Sequence, residues 1–286
     1  MRTRTGPLLP VTLLLPSIAF LAVLIVIPMA QALFLSVVTE DGGLSLENFQ
    51  RMFADVNFSA ALRNTFLLLV LIVPLQVALA LAMALLVHSR FRGHRWFFLI
   101  YAVPLAVSDL AAGLLWLAAF TERGYLNSVL QGAGVIAQPA LWLSFDNFAG
   151  LVTAIVIAES WRTTAMVLLV LIAGLELIPR EFFETAELFG ASRFRRTVHV
   201  VLPLLRPSLQ SALIMRTIFA FQTFAVVFAL AGRNLPVLAG EAYTSYVTNQ
   251  DERLAAAYGV VILALSIVAI VVYLRLLGPG EAEVQR

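Results

Sequence analysis

Apolar residues in this chain run in long unbroken blocks rather than alternating with polar ones. Six blocks reach or exceed the ~20 residues that a helix needs to cross a hydrocarbon core, at 8–38, 62–87, 96–120, 148–172, 208–231 and 254–277. The pattern predicts an all-α membrane protein of about six transmembrane helices. Pro16, Pro28, Pro74 and Pro104 fall in or near these blocks. Membrane helices accept such prolines where neighbours satisfy the freed carbonyls. The first block is longer than one crossing and is expected to tilt, kink or extend beyond the lipid.

Composition supports this reading. Of 286 residues, 61% are hydrophobic and 13% charged, with a mean hydropathy of +0.93, far from the balance of soluble domains. There is no cysteine, which excludes disulfides and thiolate sites. Three dispersed histidines do not form a metal site. All basic residues are arginine, and a net charge of +2 is too small to suggest nucleic acid. Arg2 and Arg4 precede the first block, and Ala30-Gln31-Ala32 imitates a cleavage site. The apolar run is much longer than a signal-peptide core of ~7–15 residues, so it is read as a retained span.

Arginine placement orients the spans. Arg90, Arg92 and Arg95 lie in the 88–95 connection, and Arg180, Arg193, Arg195, Arg196 and Arg206 in the 173–207 connection. The 39–61 and 232–253 connections carry few arginines, alongside Glu40, Asp41, Glu47, Asp55, Glu241, Asp251 and Glu252. The arginine-rich set is expected in the cytoplasm with both termini. The chain then divides into residues 1–61 (first helix and external loop), 62–277 (core transmembrane domain with a special loop at 178–209) and a cytoplasmic tail at 278–286. Asn48-Phe49, Phe53, Phe58, Trp142, Phe145 and Phe148 give the outer connections an ordered, aromatic character. They anchor helix ends or meet an external protein.

The 178–209 loop reads as two short helices on the cytoplasmic face. Pro179 suits a first helical position, and Phe182, Phe183, Ala186 and Phe189 form a stripe at helical spacing. Gly190 suits a stop and Ser192 a cap. Pro203 is expected to break the second helix before span five. Glu181, Glu184 and Glu187 disfavour an anionic lipid surface, so docking to a soluble partner is the better account.

At these residues the chain resembles the binding-protein-dependent ABC importer permeases. Glu184-Thr185-Ala186, Gly190-Ala191 and Leu202-Pro203 are similar to their EAA signature. More narrowly, the chain resembles the sugar-type permeases related to the maltose and trehalose systems. The likeness takes in Glu47-Asn48-Phe49, Asn64-Thr65, Pro104, Trp116, Gly124-Tyr125-Leu126-Asn127, Glu159-Ser160-Trp161-Arg162-Thr163-Thr164 and Arg216-Thr217. The sequence departs from the family at Thr185, Phe189, Phe219, Gln222 and Ala225. The last three fall on the polar lining of the pathway.

The resemblance implies a type I ABC importer transmembrane domain, the first subunit of a heterodimeric pair in a bacterial or archaeal cytoplasmic membrane. It implies a second permease, two copies of a cytoplasmic ATPase and an extracytoplasmic solute-binding protein as partners. The cargo would be a sugar, glycerol phosphate or another polyol. Phe182, Phe183, Glu184, Ala186, Glu187, Gly190 and Pro203 would form the coupling elbow. The chain has no GxxxxGK[ST] loop, so ATP and Mg are expected on the ATPase and no cofactor here.

Ionisable side chains at bilayer depth cost ~2.5–3.5 kcal/mol each and need a reason. Asp109 is placed mid-span three, Glu159 and Arg162 in span four, and Arg216 in span five. With Gln76, Trp116 and Gln222 they are read as lining a polar pathway, aromatic and amide groups being suited to a sugar. The structural alternative pairs Glu159 with Arg162 along one helix face and lets Arg216 snorkel. Asp109 then pairs with Arg216 or with a partner subunit. An ion-coupled transporter would show inverted repeats, and a membrane enzyme an HExxH or serine–histidine set. Neither is seen in the sequence.

Overall fold

The computed structural model describes residues 9–39 and 41–277. Glu40, Arg2, Arg4, the first residue of the 8–38 block and the 278–286 tail lie outside the described residues. Apart from one isolated bridge between Val38 and Leu44, the regular structure described is helical. In chain order the elements are α1 (Leu13–Ser36 over its membrane-length part), α2 (Glu47–Ala54), α3 (Phe58–His88), α4 (His94–Ala102), α5 (Asp109–Phe120), α6 (Tyr125–Gly132), α7 (Phe148–Glu176), α8 (Arg180–Leu188), α9 (Arg193–Phe221), α10 (Ala225–Ala231), α11 (Leu238–Tyr243) and α12 (Glu252–Leu277).

Five of these, α1, α3, α7, α9 and α12, are long and apolar enough to cross a membrane unbroken. A bent pair supplies a sixth where its two halves count as one span. Residues His94–Ala106 and Asp109–Gly132 meet at 102°, so the 96–120 block is not one straight span. Pro104 sits in a 3₁₀ turn, Val107 is extended, and Ser108 restarts the coil by accepting the Ala111 N–H at 3.3 Å. Ring geometry and a fresh N-cap together explain the break.

The fifth span also differs from expectation. The 208–231 block is divided at Gln222–Phe224, where α9 ends and α10 begins. In the other direction α9 runs back to Arg193, so Pro203 does not end a helix. A π turn over Thr197–Val201 lets the Leu202 N–H reach five residues back to the Thr197 carbonyl. That widened turn loosens the coil just ahead of the proline, where an α-helix would otherwise clash. The same device precedes Pro28, where the Ile27 N–H bonds to the Ala22 carbonyl.

The described residues divide into two compact units, one of those up to 59 together with 241–261 and the other of 60–240 together with those from 262 onward. In the first unit the apolar stretch of α1 is exposed all round. Its end is held by buried Asn48, whose Nδ2 donates to the carbonyls of Leu35, Ser36 and Val38. Phe58 packs edge-on against Phe53 and lies beside Tyr258. Asp251 caps α12 by accepting the Leu254 N–H at 2.9 Å, and it pairs with Arg51. Burial raises the Asp251 carboxyl, but that N–H and the guanidinium outweigh it and leave the pKa below the usual value.

The second unit holds two apolar clusters. One joins Leu68, Ile72, Phe120, Leu151, Ile155 and Val226. The other joins Ala80, Ala84, Leu168, Leu171, Leu175, Val201 and Leu205. On both α3 and α7 the buried polar residues Gln76, Glu159, Thr163 and Thr164 fall between the two clusters. A polar layer is thus sealed between apolar ones.

The ends of this unit are equally distinct. At one, the His88 ring at the close of α3 meets Phe183 of α8 at 5.2 Å. At the other, Asn127 gathers the turn after α5: its Nδ2 donates to the Thr121, Glu122 and Ala140 carbonyls, and its Oδ1 accepts from Ala140 N and Trp142 Nε1. Asn64 and Thr65 tie the start of α3 to the Pro236 carbonyl and the Leu238 N–H. Of the outer aromatic residues, Phe58 and Trp142 pack within the chain, while Phe53, Phe145 and Phe148 stay exposed.

Candidate functional site

Two constellations stand out, an exposed elbow and the polar layer. The elbow begins at Pro179, which caps α8 from outside rather than occupying its first turn. Helix α8 ends as its sequence predicts. Gly190 has φ +71°, its N–H bonds to the Glu187 carbonyl at 2.9 Å, and the Ala191 N–H bonds to the Ala186 carbonyl at 3.0 Å. This is a Schellman stop. Ser192 then opens α9 by accepting the Arg195 N–H at 3.3 Å.

The predicted stripe divides between two directions. Phe183 turns inward, half-buried against the lower apolar cluster and the His88 ring, with the Arg196 guanidinium 5.8 Å above its own ring. Ala186 is also partly covered. Glu187 pairs with Arg196, pinning α8 to the start of α9. Phe182, Glu184 and Phe189 point outward, Phe189 being 87% exposed. The sequence reading missed that Leu188 and Phe194 join them, at 88% and 79% exposed. Leu188 follows Glu184 by four residues, a helical neighbour on the same face. Pro203 is exposed within α9 and serves as part of a continuous helix.

In the polar layer the pairing is not the one that sequence spacing suggests. Arg216 Nη2 donates to Glu159 Oε2 at 3.2 Å, and Arg216 Nε donates to Gln76 Oε1. Gln76 Nε2 donates to the Glu159 carbonyl at 2.9 Å and to Thr163 Oγ1. Helices α3, α7 and α9 are thus joined by a closed circuit. Arg216 does not snorkel; with Glu159 it is buried, at 1% and 2% side-chain exposure. Nor does Glu159 pair with Arg162. Arg162 Nη1 bonds instead to Asp109 Oδ1 at 2.8 Å, at 15% and 56% side-chain exposure. In a low-dielectric interior each charge takes the partner that its own helix face meets, and these two residues three apart face different neighbours.

Asp109 accordingly opens α5 at the break rather than sitting mid-helix, and its partner is Arg162 rather than Arg216. Trp116 stacks on Phe120 at 5.4 Å and meets Trp161 edge-on at 6.0 Å. Gln222 is exposed at the α9–α10 break, outside the closed circuit. Among the described residues there is no cluster of His, Asp and Glu able to hold a metal.

Comparison with known proteins gives the family and the fold. Residues 76–279 match the family described as binding-protein-dependent transport system inner membrane component. The chain is 33% identical over 282 residues to the sulfoquinovosyl glycerol transport system permease protein SmoG of Agrobacterium fabrum, covering 94% of this chain and 90% of that protein. It is 31% identical over 300 residues to the diacetylchitobiose uptake system permease protein NgcF of Streptomyces coelicolor, covering 94% and 83%. It is 30% identical over 272 residues to the sn-glycerol-3-phosphate transport system permease protein UgpA of Agrobacterium fabrum, covering 91% of each.

Among solved structures, a bacterial ABC transporter involved in the import of the acidic polysaccharide alginate aligns with TM-score 0.83 at 17% identity, covering 97% of this chain and 96% of that one. A second alginate transporter structure, in complex with an alginate pentasaccharide-bound periplasmic protein, aligns with TM-score 0.79 at 19% identity, covering 95% and 96%. At these identities the likeness is one of fold. The helical architecture, the family match and relatives at 30–33% identity agree: this chain belongs to the binding-protein-dependent inner-membrane permeases of ABC importers.

Proposed function

We propose that this chain is one of two permease subunits that carry a sugar or related polyol across a bacterial or archaeal cytoplasmic membrane. An external binding protein delivers the cargo, and the 178–209 elbow passes motion from two cytoplasmic ATPase subunits to the spans. ATP and Mg act on those ATPases. The observation that carries this reading is the elbow's construction. A knuckle of Phe182, Leu188, Phe189 and Phe194 is exposed to solvent, yet its backbone is held by the Schellman stop, the Ser192 cap and the Glu187–Arg196 pair. Exposed aromatic residues on a rigid scaffold mark a protein interface.

Relatives support the cargo class. Their names specify a sulfoquinovosyl glycerol, a diacetylchitobiose and an sn-glycerol 3-phosphate system, all polyhydroxylated solutes. The alginate transporter bound to its periplasmic protein supports delivery from outside. The test is to co-express the chain with its neighbouring genes, purify the complex and follow uptake and ATP hydrolysis in proteoliposomes. An ATPase is expected to co-purify. Glu184→Ala and Gly190→Val are expected to cut uptake by roughly tenfold or more while ATP hydrolysis persists, since elbow contacts are central to the interface. Full uptake in both variants would remove the elbow from the mechanism.

A further inference from the structure

The Asp109–Arg162 pair lies where bare charges are costly. Arg162 is the midpoint of α7 (Phe148–Glu176), about 21 Å from either end at 1.5 Å per residue. Asp109 is the first residue beyond the 102° break of the third span, and its side chain is 56% exposed. A carboxylate at that depth is not stable against hydrocarbon, so this face of α5 looks onto protein or water. Arg162 spends one edge on the carboxylate, while its Nε is buried with no acceptor. Trp161, next to it in sequence, meets Trp116 edge-on at 6.0 Å.

Such a set suits one cargo better than another. A phosphate, sulfonate or uronate needs a guanidinium fork free to take it bidentately. Here Arg162 is already neutralised, and the carboxylate that neutralises it is the more exposed of the two. Arg216 is no substitute, being sealed against Glu159 and Gln76. The four mid-span charges sum to zero. A hydroxyl, by contrast, can donate to the exposed Asp109 carboxylate, which repels a phosphate, sulfonate or uronate. Indole rings cover the C–H faces of a sugar.

We propose that the Asp109–Arg162 pair is a charge filter on the cargo path, admitting uncharged polyhydroxylated cargo and turning away anionic cargo. The proposal rests on the import reading above. The relatives' names include both kinds of cargo, the uncharged diacetylchitobiose and the anionic sulfoquinovosyl glycerol and sn-glycerol 3-phosphate, so the discrimination is a real one for this family.

The experiment uses the assembled importer in nanodiscs, with tryptophan fluorescence titrated by trehalose and by sn-glycerol 3-phosphate. The wild-type complex responds to trehalose and not to sn-glycerol 3-phosphate, and Trp161→Phe removes most of that response. Asp109→Asn leaves Arg162 a free cation and shifts the preference toward sn-glycerol 3-phosphate by about tenfold or more. Adding Arg162→Gln to Asp109→Asn restores neutrality and returns the preference. A silent wild-type complex, equal wild-type response to both probes, or an unchanged preference in Asp109→Asn would overturn the filter. A pair that only packs against the second permease would weaken both probes alike, which also overturns it. Failure of the import reading is distinguishable, because it shows as an intact complex with no ATP-driven uptake in proteoliposomes.

Discussion

Arg216 shows what a single buried charge demands. Its guanidinium has exchanged water for Glu159 and Gln76, and Gln76 in turn serves the Glu159 carbonyl and Thr163. Removing one partner strands the other in a buried site, at a typical cost of about 3–5 kcal/mol. Arg216→Ala is therefore expected to lower the thermal midpoint of the detergent-solubilised complex sharply, as Glu159→Ala should. Arg216→Met combined with Glu159→Gln, which leaves no bare charge, should regain most of the loss. Near-wild-type stability in Arg216→Ala would show that the circuit carries no weight. The residues of this layer were legible in the sequence, because charges and amides inside apolar blocks are conspicuous. Their partners were not. Spacing along one helix placed Glu159 beside Arg162, whereas pairing is decided by which neighbouring helix each face meets, and that information is non-local. Asp109 was misplaced for a different reason: Pro104 and Ser108 are local signals of a restart, but membrane helices carry prolines through unbroken often enough that the block was read as continuous.

At the scale of elements, the elbow was the most readable part of the chain. Turn chemistry is local, so the Gly190 stop and the Ser192 cap follow directly from residue type, and both are present. Proline was the poorer guide. Pro203 looks like a break, yet it follows a π turn that carries the helix past it, as the π turn ahead of Pro28 does in α1, a backbone adjustment with no residue signature of its own. The Gly190 position also separates two physical costs. A Cβ there meets no atom within 4 Å, so substitution is penalised only by the left-handed backbone, about 1–2 kcal/mol for an ordinary residue and less for asparagine. Gly113 is the opposite case. A Cβ there would lie 2.6 Å from the Ala229 Cβ, so bulk itself is excluded where α5 meets α10. Uptake per ATP hydrolysed is accordingly expected to fall in the order Gly190, Gly190→Asn, Gly190→Ala, Gly190→Val. A variant series ranked by side-chain volume instead of by tolerance for positive φ would show that the elbow is limited by space at the ATPase surface.

At the scale of the whole molecule, membrane orientation decides whether the elbow can meet a motor in the cytoplasm. The second unit has one end bearing Phe183 against His88, and with it the connections that carry Arg90, Arg92, Arg95, Arg180, Arg193, Arg195 and Arg196. The opposite end, gathered around Asn127, carries Glu122, Arg123 and Asp146. Short loops rich in arginine remain on the cytoplasmic side, and acidic residues contribute little to that choice. The first end should therefore face the cytoplasm. Because the chain has no cysteine, a single introduced thiol reports its own location without background. Ser89→Cys and Thr185→Cys, both at exposed positions of the first end, should resist a membrane-impermeant maleimide applied to intact cells and react once the membrane is opened. Glu122→Cys and Asp146→Cys, exposed at the other end, should react in intact cells. Labelling of Thr185→Cys from outside would place the aromatic knuckle where no ATPase operates. The exposed Phe182, Leu188, Phe189 and Phe194 would then have to meet an external protein, and the coupling role would pass to some other surface of the chain.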